Sequence, residues 1–383
     1  MSYNLVFDNW DNKEIEALHN VIDTRQFTMG DKVEQFEKEI ASFHNVKYAV
    51  MTNSGSSANL LMISTLIECQ MIQAGDEIIV PAVGWSTSYA PFSQFGLKLV
   101  FVDVDENGNI DIDKVVGAIS KKTKLLLGIN LLGYPIDLVR LKEVCDKNDI
   151  IMLEDNCESF GASFDNKLCG TYGLMGTLSF FFSHHITTME GGMLLTDSLW
   201  FYETAKSIRS HGWSRHSNDF FSKPKTFEDK WKESFKFYTR GFCLRPSELN
   251  AAVGLVQLQK WEEQKNIRLV NAAKYCKVIE NNRACYTSPF DKNATYFGFL
   301  LTLPDNKTRQ DVIESCMKNN IESRPVVTGN FLDQPVIEKM DHEVRSDIVQ
   351  AEIIEDCSMM FGNSPKDLSN ELELLNEVLV SNV

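Results

Sequence analysis

The stretch YAVMTNSGSSANLLMISTLIECQ, residues 48–70, moves from an apolar run through a cluster of small polar residues into a second, longer apolar segment. Tyr48 to Thr52 have the length and character of a buried strand, and the run after Ser57 is too long for one and reads as a helix. A strand, a glycine turn and a helix start form the opening unit of an alternating α/β fold. The turn NSGSSAN (53–59) offers hydroxyls and backbone N–H groups at a helix N-terminus, where a phosphate dianion can sit. The same composition also suits plain N-capping, so this turn alone leaves both readings open.

Upstream, DKVEQFEKEIASFH (31–44) spaces Val33, Phe36, Ile40 and Phe43 on one helix face. Downstream, DEIIVP (76–81), KLVFVDVD (98–105), KLLLGIN (124–130) and DIIMLED (149–155) read as strands. Helix-length segments around 85–95, 112–121 and 137–147 separate them. Apolar strands alternating with helices predict an α/β fold with a mostly parallel sheet, covered on both faces, that binds ligands beyond its carboxyl edge. After Gly191 and Gly192 come two helical segments, WFYETAKSIRSHG (200–212) and the long run at 245–279. Between them, residues 214–237 are polar, basic and aromatic and read as a long loop. From about 285, NATYFGFLLTLP (293–304) and the terminal helical segments predict a smaller α+β domain. The expected division is 1–250 for a large α/β domain, its N-terminal segment able to pack on the small one, and 251–383 for the small domain.

Composition narrows the function. A net charge of −15 over 383 residues disfavours nonspecific binding to nucleic acid or anionic membranes, both of which need a positive field. No apolar run approaches the ~20 residues of a spanning helix, and the first residues lack the pattern of a signal peptide, so the expected location is the cytoplasm. The nine cysteines are scattered without a CxxC or CxC pair, and they read as reduced thiols with no metal site.

Three further motifs carry chemistry. In PAVGWSTSYAPF (81–92), Trp85 follows a strand directly, where its ring either stacks on a cofactor or packs in the core. In IIMLEDNCES (150–159), Glu154, Asp155 and Glu158 emerge from an apolar strand. A carboxylate there needs a partner, and a protonated pyridine nitrogen, a helix N-cap or a salt bridge would each serve. In SFFFSHHITTMEGGMLLTD (179–197), two histidines end an apolar run, and imidazole is the side chain best suited to moving protons near neutral pH. If the backbone is extended, His184 and His185 point to opposite sides and one of them faces the site. A phosphate cup, a stacking ring, a partner for a pyridine nitrogen and a proton carrier together make the set that pyridoxal phosphate requires.

With FTMGDKVEQFE (27–37), NSGSSANLLM (53–62), EDNCESFGA (154–162), SHHITTMEGG (183–192), HGWSR (211–215) and RPVVTGNF (324–331) in order, the sequence resembles the DegT/DnrJ/EryC1/StrS sugar aminotransferases over nearly its whole length. The resemblance implies the aspartate aminotransferase fold (type I, PLP-dependent) and a homodimer with active sites shared across the interface. It implies that Gly55, Ser56 and Ser179 hold the cofactor phosphate, that Trp85 covers the ring and that Asp155 pairs with its nitrogen. Glu158 stands where many members carry a glutamine near the ring hydroxyl. Arg245 falls in a motif that normally reads Gly-Tyr-Asn-x-Arg, whose asparagine reaches the partner's phosphate. Here that position is Cys243, and a thiol is a weak donor.

In the aminotransferases of this family the residue aligned with His184 is the lysine that binds the cofactor covalently. Imidazole cannot form that bond but can carry protons. The implied activity is therefore removal of the C3 hydroxyl from a nucleotide-linked 4-keto-6-deoxyhexose, with L-glutamate converting pyridoxal phosphate to pyridoxamine phosphate and His184 moving the proton. The favoured substrate is GDP-linked 4-keto-6-deoxymannose, leading to a 3,6-dideoxyhexose such as colitose for surface polysaccharide. Arg215, Arg245, Arg324 and the basic segment 214–236 are candidate partners for the diphosphate or the glutamate carboxylates. Competing readings are a 4-aminotransferase using Lys167 or Lys206, a cofactor- or sugar-binding protein without turnover, and a CDP-sugar dehydrase with an iron–sulfur partner. Relatives of the last kind carry a Cys-x-Cys pair that this chain lacks, so no iron–sulfur partner is expected.

Overall fold

The computed structural model of the chain describes residues 2–215, 220–223 and 225–383. Two helices open it, α1 (Asn12–Thr24) and α2 (Asp31–His44). Strands and helices then alternate: β1 (Tyr48–Thr52), α3 (Gly55–Glu68), β2 (Glu77–Pro81), α4 (Ser86–Gln94), β3 (Lys98–Val102), α5 (Ile112–Ala118), β4 (Thr123–Ile129), α6 (Leu138–Lys147) and β5 (Ile151–Asp155). A two-residue ladder, β6 (Ser163–Phe164) with β7 (Lys167–Leu168), precedes β8 (Met175–Ser179), β9 (Gly192–Thr196) and α7 (Leu199–Arg209). The stretch expected to be a long loop contains a short helix, α8 (Phe227–Glu233). None of its side chains is buried, so no apolar periodicity marked it in the sequence.

The 34-residue α9 (Glu248–Asn281) runs across the expected domain boundary. Beyond it lie β10 (Gly298–Thr302), α10 (Asn306–Lys318), β11 (His342–Val344), α11 (Gln350–Cys357), β12 (Ser358–Gly362) and α12 (Ser369–Asn382). The two antiparallel strands β10 and β12 form a separate small sheet. The N-terminal segment packs there: Tyr3 bridges to Ile321, donates its hydroxyl to the Gly362 carbonyl at 2.7 Å and stacks on Phe361.

The main sheet has eight strands in the order β1-β9-β8-β5-β4-β2-β3-β11. Five of its seven pairings are parallel, and β9 alone runs against the rest. Side chains alternate between the two faces of a strand. Ile78, Val80, Leu99 and Phe101 accordingly join one core, while Ile79, Val100 and Val102 join another on the opposite face with Leu138 and Leu141 of α6. A third core, around Phe36, Phe180 and Trp261, ties α2 and α9 to the β1–β9 end. Burial on both faces explains why these strands read as continuous apolar runs.

β11 escaped the sequence reading because it is three residues long, mostly exposed and holds a single apolar residue, Val344. It is fixed by Arg345, which grips both carboxylate oxygens of Glu77 at 2.7 and 2.8 Å and donates to the Ala118 carbonyl at 3.1 Å. That guanidinium holds the Glu77 carboxyl down to about 2. Among the described residues, no helix is long and apolar enough to cross a membrane.

Candidate active site

Since β1, β2, β4, β5 and β8 all point the same way, the residues that follow them meet at one edge. They line a single cavity of about 290 Å³. Gly55, Ser56, Trp85, Asp155, Glu158, Ser179, His184 and Arg324, all singled out from sequence, stand on its wall. Arg215 and Arg245 do not line it. Arg215 is exposed, and Arg245 follows the exposed Cys243, whose backbone bridges to Ser210. The basic segment expected at 214–236 falls partly on 216–219 and 224, which lie outside the described residues.

At one end, the Ser54 hydroxyl accepts the Ser57 N–H at 3.0 Å and caps α3. Capping therefore occupies Ser54 and leaves Gly55 and Ser56 on the cavity wall beside Ser179. A Cβ on Gly55 would stand 2.6 Å from Cβ of Ser179, and one on Gly192 would stand 2.3 Å from the Ser54 carbonyl oxygen. Glycine at both positions lets the start of α3, the end of β8 and the start of β9 converge. The result is a crowd of N–H and hydroxyl groups at a helix N-terminus, the donor set a phosphate needs.

Asp155, the last residue of β5, is 3% exposed. Its Oδ2 accepts from Nδ2 of Asn59 at 2.8 Å and from Oγ of Ser88 at 2.7 Å, and its Oδ1 accepts the Cys157 N–H at 3.0 Å. Neither an N-cap nor a salt bridge accounts for it, since its donors are neutral and no Lys or Arg pairs with it among the described residues. A buried carboxylate held by neutral dipoles beside a cavity fits a cationic ring nitrogen. The neighbouring Glu154 faces the other side of the strand, fully buried, and accepts the N–H groups of Gly170, Tyr172 and Gly173 at 2.6, 2.6 and 2.7 Å. It organises the loop after β7. Glu158 accepts the Leu132 N–H at 3.1 Å and stands 4.0 Å from Nη2 of Arg324. Burial pushes its carboxyl up, against the pull of Arg324.

Trp85 is 52% exposed, so it is a wall of the cavity and not a core residue.

The two histidines do divide, but not along an extended strand. β8 ends at Ser179, and the His184 N–H donates to the Phe181 carbonyl at 2.9 Å, which closes a turn. His184 lines the cavity, with Nδ1 2.5 Å from the Cys157 carbonyl oxygen. A carbonyl only accepts, so Nδ1 carries the proton and Nε2 keeps the lone pair of the neutral ring. Part of the ring is reachable through the cavity, yet protein crowds it on its other sides. Burial, helped by the charge of Arg324, lowers its pKa to about 4 against the Cys157 hydrogen bond. His185 is fully buried between Trp261 and Phe297, with Nε2 3.2 Å from the Thr295 carbonyl.

No lysine among the described residues lines the cavity. Lys206 stands 3.5 Å from Glu203, and Lys167 lies over the Tyr172 ring. Asn59, Ser88, Cys157, Glu190 and Phe297 are among the further wall residues that were not singled out from sequence. Asn59 could have been found, because it lies about one helical turn beyond Gly55 in the same motif.

A profile of the DegT/DnrJ/EryC1/StrS aminotransferase family matches residues 8–368. The GDP-4-keto-6-deoxy-D-mannose 3-dehydratase of Yersinia pseudotuberculosis is 41% identical over 99% of this chain and 98% of the relative. Among solved structures, a GDP-4-keto-6-deoxymannose-3-dehydratase with a trapped PLP-glutamate geminal diamine superposes with a TM-score of 0.95 at 40% identity, covering 99% of this chain and 100% of that one. A histidine-to-asparagine variant of the enzyme of that name, with bound GDP-perosamine, gives a TM-score of 0.94 at 40% identity, with 99% and 100% of the chains covered.

Proposed function

The chain belongs to the DegT/DnrJ/EryC1/StrS aminotransferase family, and from that membership we propose that it removes the C3 hydroxyl of GDP-4-keto-6-deoxy-D-mannose. It is a pyridoxal phosphate-dependent dehydratase that uses L-glutamate as amino donor and yields GDP-4-keto-3,6-dideoxy-D-mannose, a precursor of colitose-type sugars in O-antigen. The sugar loses one oxygen while glutamate becomes 2-oxoglutarate and ammonia, which balances the reaction. Bound cofactor supplies an amine carrier and an electron sink.

The chain's residues supply the rest. The start of α3 with Ser179 binds the phosphate, Trp85 covers one face of the ring, and Asp155 holds the ring nitrogen in its protonated form. Nε2 of His184 takes up a proton beside the cofactor and returns it to the departing C3 oxygen. Arg324 and Glu158 orient the substrate's polar groups. The observation that carries this reading is the imidazole of His184 on a cavity wall that has no lysine among the described residues. Such a site moves protons but has no amine with which to pass nitrogen to the sugar.

The same proposal takes two copies of the chain as the working unit, with Arg245 and Cys243, which lie off this chain's own cavity, facing the partner. It keeps residues 1–250 and 251–383 as two domains joined through α9, and it takes the cytoplasm, where glutamate and GDP-sugars are at hand, as the location. Incubation with pyridoxal phosphate, L-glutamate and GDP-4-keto-6-deoxymannose tests it. NMR and mass of the product should show loss of oxygen at C3 with equimolar 2-oxoglutarate and ammonia. Gain of nitrogen at C4 would make the protein an aminotransferase.

A further inference from the structure

The backbone just after the His184 turn is held by side chains of α9. Nδ2 of Asn250 donates to the carbonyls of Thr188 and Glu190 at 2.7 and 2.9 Å. Oε1 of Gln257 accepts the Thr187 N–H at 3.3 Å, and Trp261 packs edge-on against His185. Gln257 is fully buried, and its Nε2 donates to Oε1 of Glu14 at 2.7 Å. Glu14 belongs to α1, far away in sequence, and is itself 0% exposed. Lys260 offsets its charge, donating to its two oxygens at 2.7 and 2.8 Å, and the Asp11 N–H donates to it at 2.9 Å.

The chemistry of these groups gives the chain of contacts a direction. A primary amide can rotate by half a turn and exchange its donor for its acceptor. A carboxylate can only accept. Glu14 therefore fixes Nε2 of Gln257 toward itself and leaves Oε1 no choice but to face the Thr187 N–H. An acceptor at that point suits a buried N–H, whereas a flipped amide would set two donors against each other and leave both unsatisfied.

We propose that Glu14 is a positioning residue for His184, acting through Gln257 and the Thr187 N–H to hold the turn in the one geometry that keeps Nδ1 of His184 on the Cys157 carbonyl. The inference rests on the role given to His184 above. Its first readout, however, is the ring itself and needs neither cofactor nor turnover.

The test uses chain labelled with ¹⁵N-histidine, the His184 signals being identified by their loss in His184→Asn. In the parent chain they should show a single neutral tautomer with the proton on Nδ1. In Glu14→Gln, where either amide orientation is allowed, they should spread between tautomers, and kcat should fall about ten-fold with KM for the GDP-sugar within two-fold. The exchange Glu14→Gln with Gln257→Glu puts the carboxylate against the Thr187 N–H and the amide donor behind it, so it should restore both the tautomer and kcat. An unchanged tautomer and kcat in Glu14→Gln, even with a lowered Tm, would overturn the proposal, as would failure of the exchange to restore them. If Glu14→Gln does not fold, Gln257→Met, which keeps the Glu14–Lys260 pair, reads the same link: a spread of tautomers supports it and a single one overturns it. A parent chain with the expected tautomer but no turnover would count against the proposed reaction and leave the positioning role standing.

Discussion

The carbonyl oxygen of Cys157 accepts from Nδ1 of His184 at 2.5 Å, while the N–H of the same cysteine donates to Asp155 at 3.0 Å. One residue of the loop after β5 thus sets both the proton carrier and the carboxylate. The lone pair on Nε2 is useful when the ring is neutral, and burial holds the ring's pKa at about 4. We expect kcat/KM to stay level from pH 7 down to about pH 5 on the limb that reports His184, and to fall near pH 4. A bend near ~6.5, the value of a free imidazole, would show that the ring is solvated and its site misread.

A different histidine, His44, is one of three whose burial makes stability fall in acid. His44 is 2% exposed, donates through Nδ1 to the Ile40 carbonyl at 3.1 Å, and buries Nε2 without a partner. Burial lowers its pKa to about 4. Between pH 6.5 and 4 the unfolded chain binds the proton and the folded chain does not. The stabilisation is therefore complete above about pH 6.5 and is lost as pH falls toward 4, by about 3 kcal/mol in all. Urea midpoints at pH 7 and pH 5 should drop less in His44→Leu than in the parent. Parallel drops would remove His44 from the account, leaving His184 and His185 to carry the slope.

Asp155→Asn removes the negative charge that faces the cavity and turns an amide donor toward Asn59 or Ser88, which already donate there. A hydrogen bond to a charged group is worth about 1.5–3 kcal/mol, so the Kd for pyridoxal phosphate should rise by roughly 10- to 100-fold. Titration followed by cofactor absorbance measures it, and an unchanged Kd would mean that the ring nitrogen sits elsewhere.

Gly192→Ala places a Cβ 2.3 Å from the Ser54 carbonyl oxygen and 2.7 Å from the Gly55 nitrogen. Both are backbone atoms at the start of α3, so the helix must move. Overpacking of this kind costs about 1–3 kcal/mol, and the Tm and the affinity for pyridoxal phosphate should fall together. Gly117→Ala in α5, where a Cβ meets nothing within 4 Å, is the control and should be neutral or stabilising by about 0.5–1 kcal/mol. Equal melting of the Gly192 variant and the parent would show that the cup yields.

The sequence was most readable where one interaction dominates. β2, β3, β4 and β5 are apolar because both faces are buried, and their expected spans contain the observed ones except for Thr123, overrunning β3 by three residues and starting β5 two residues early. β11 was silent because three largely exposed residues at a sheet edge, only one of them apolar, owe their place to Arg345 and Glu77, a partner far away in sequence. The acids of β5 show the same limit. Period-two alternation separates Glu154 from Asp155, but which of them faces the cavity follows from where Gly170 and Asn59 arrive. The histidine pair was legible as chemistry and not as geometry, since a turn, not a strand, turns His184 toward the cavity and buries His185.

The placement of β11 also matters for how the chain is made. His342–Val344 completes the outer edge of the sheet by pairing with Leu99–Phe101 of β3. A ribosome releases β3 long before β11, so the nascent chain carries an unpaired, apolar strand edge through most of its synthesis. Open edges recruit other chains, and pairings between distant segments form slowly. The growing polypeptide is thus a natural client for chaperones, and shortened products that stop near residue 250 should precipitate rather than accumulate as a free domain.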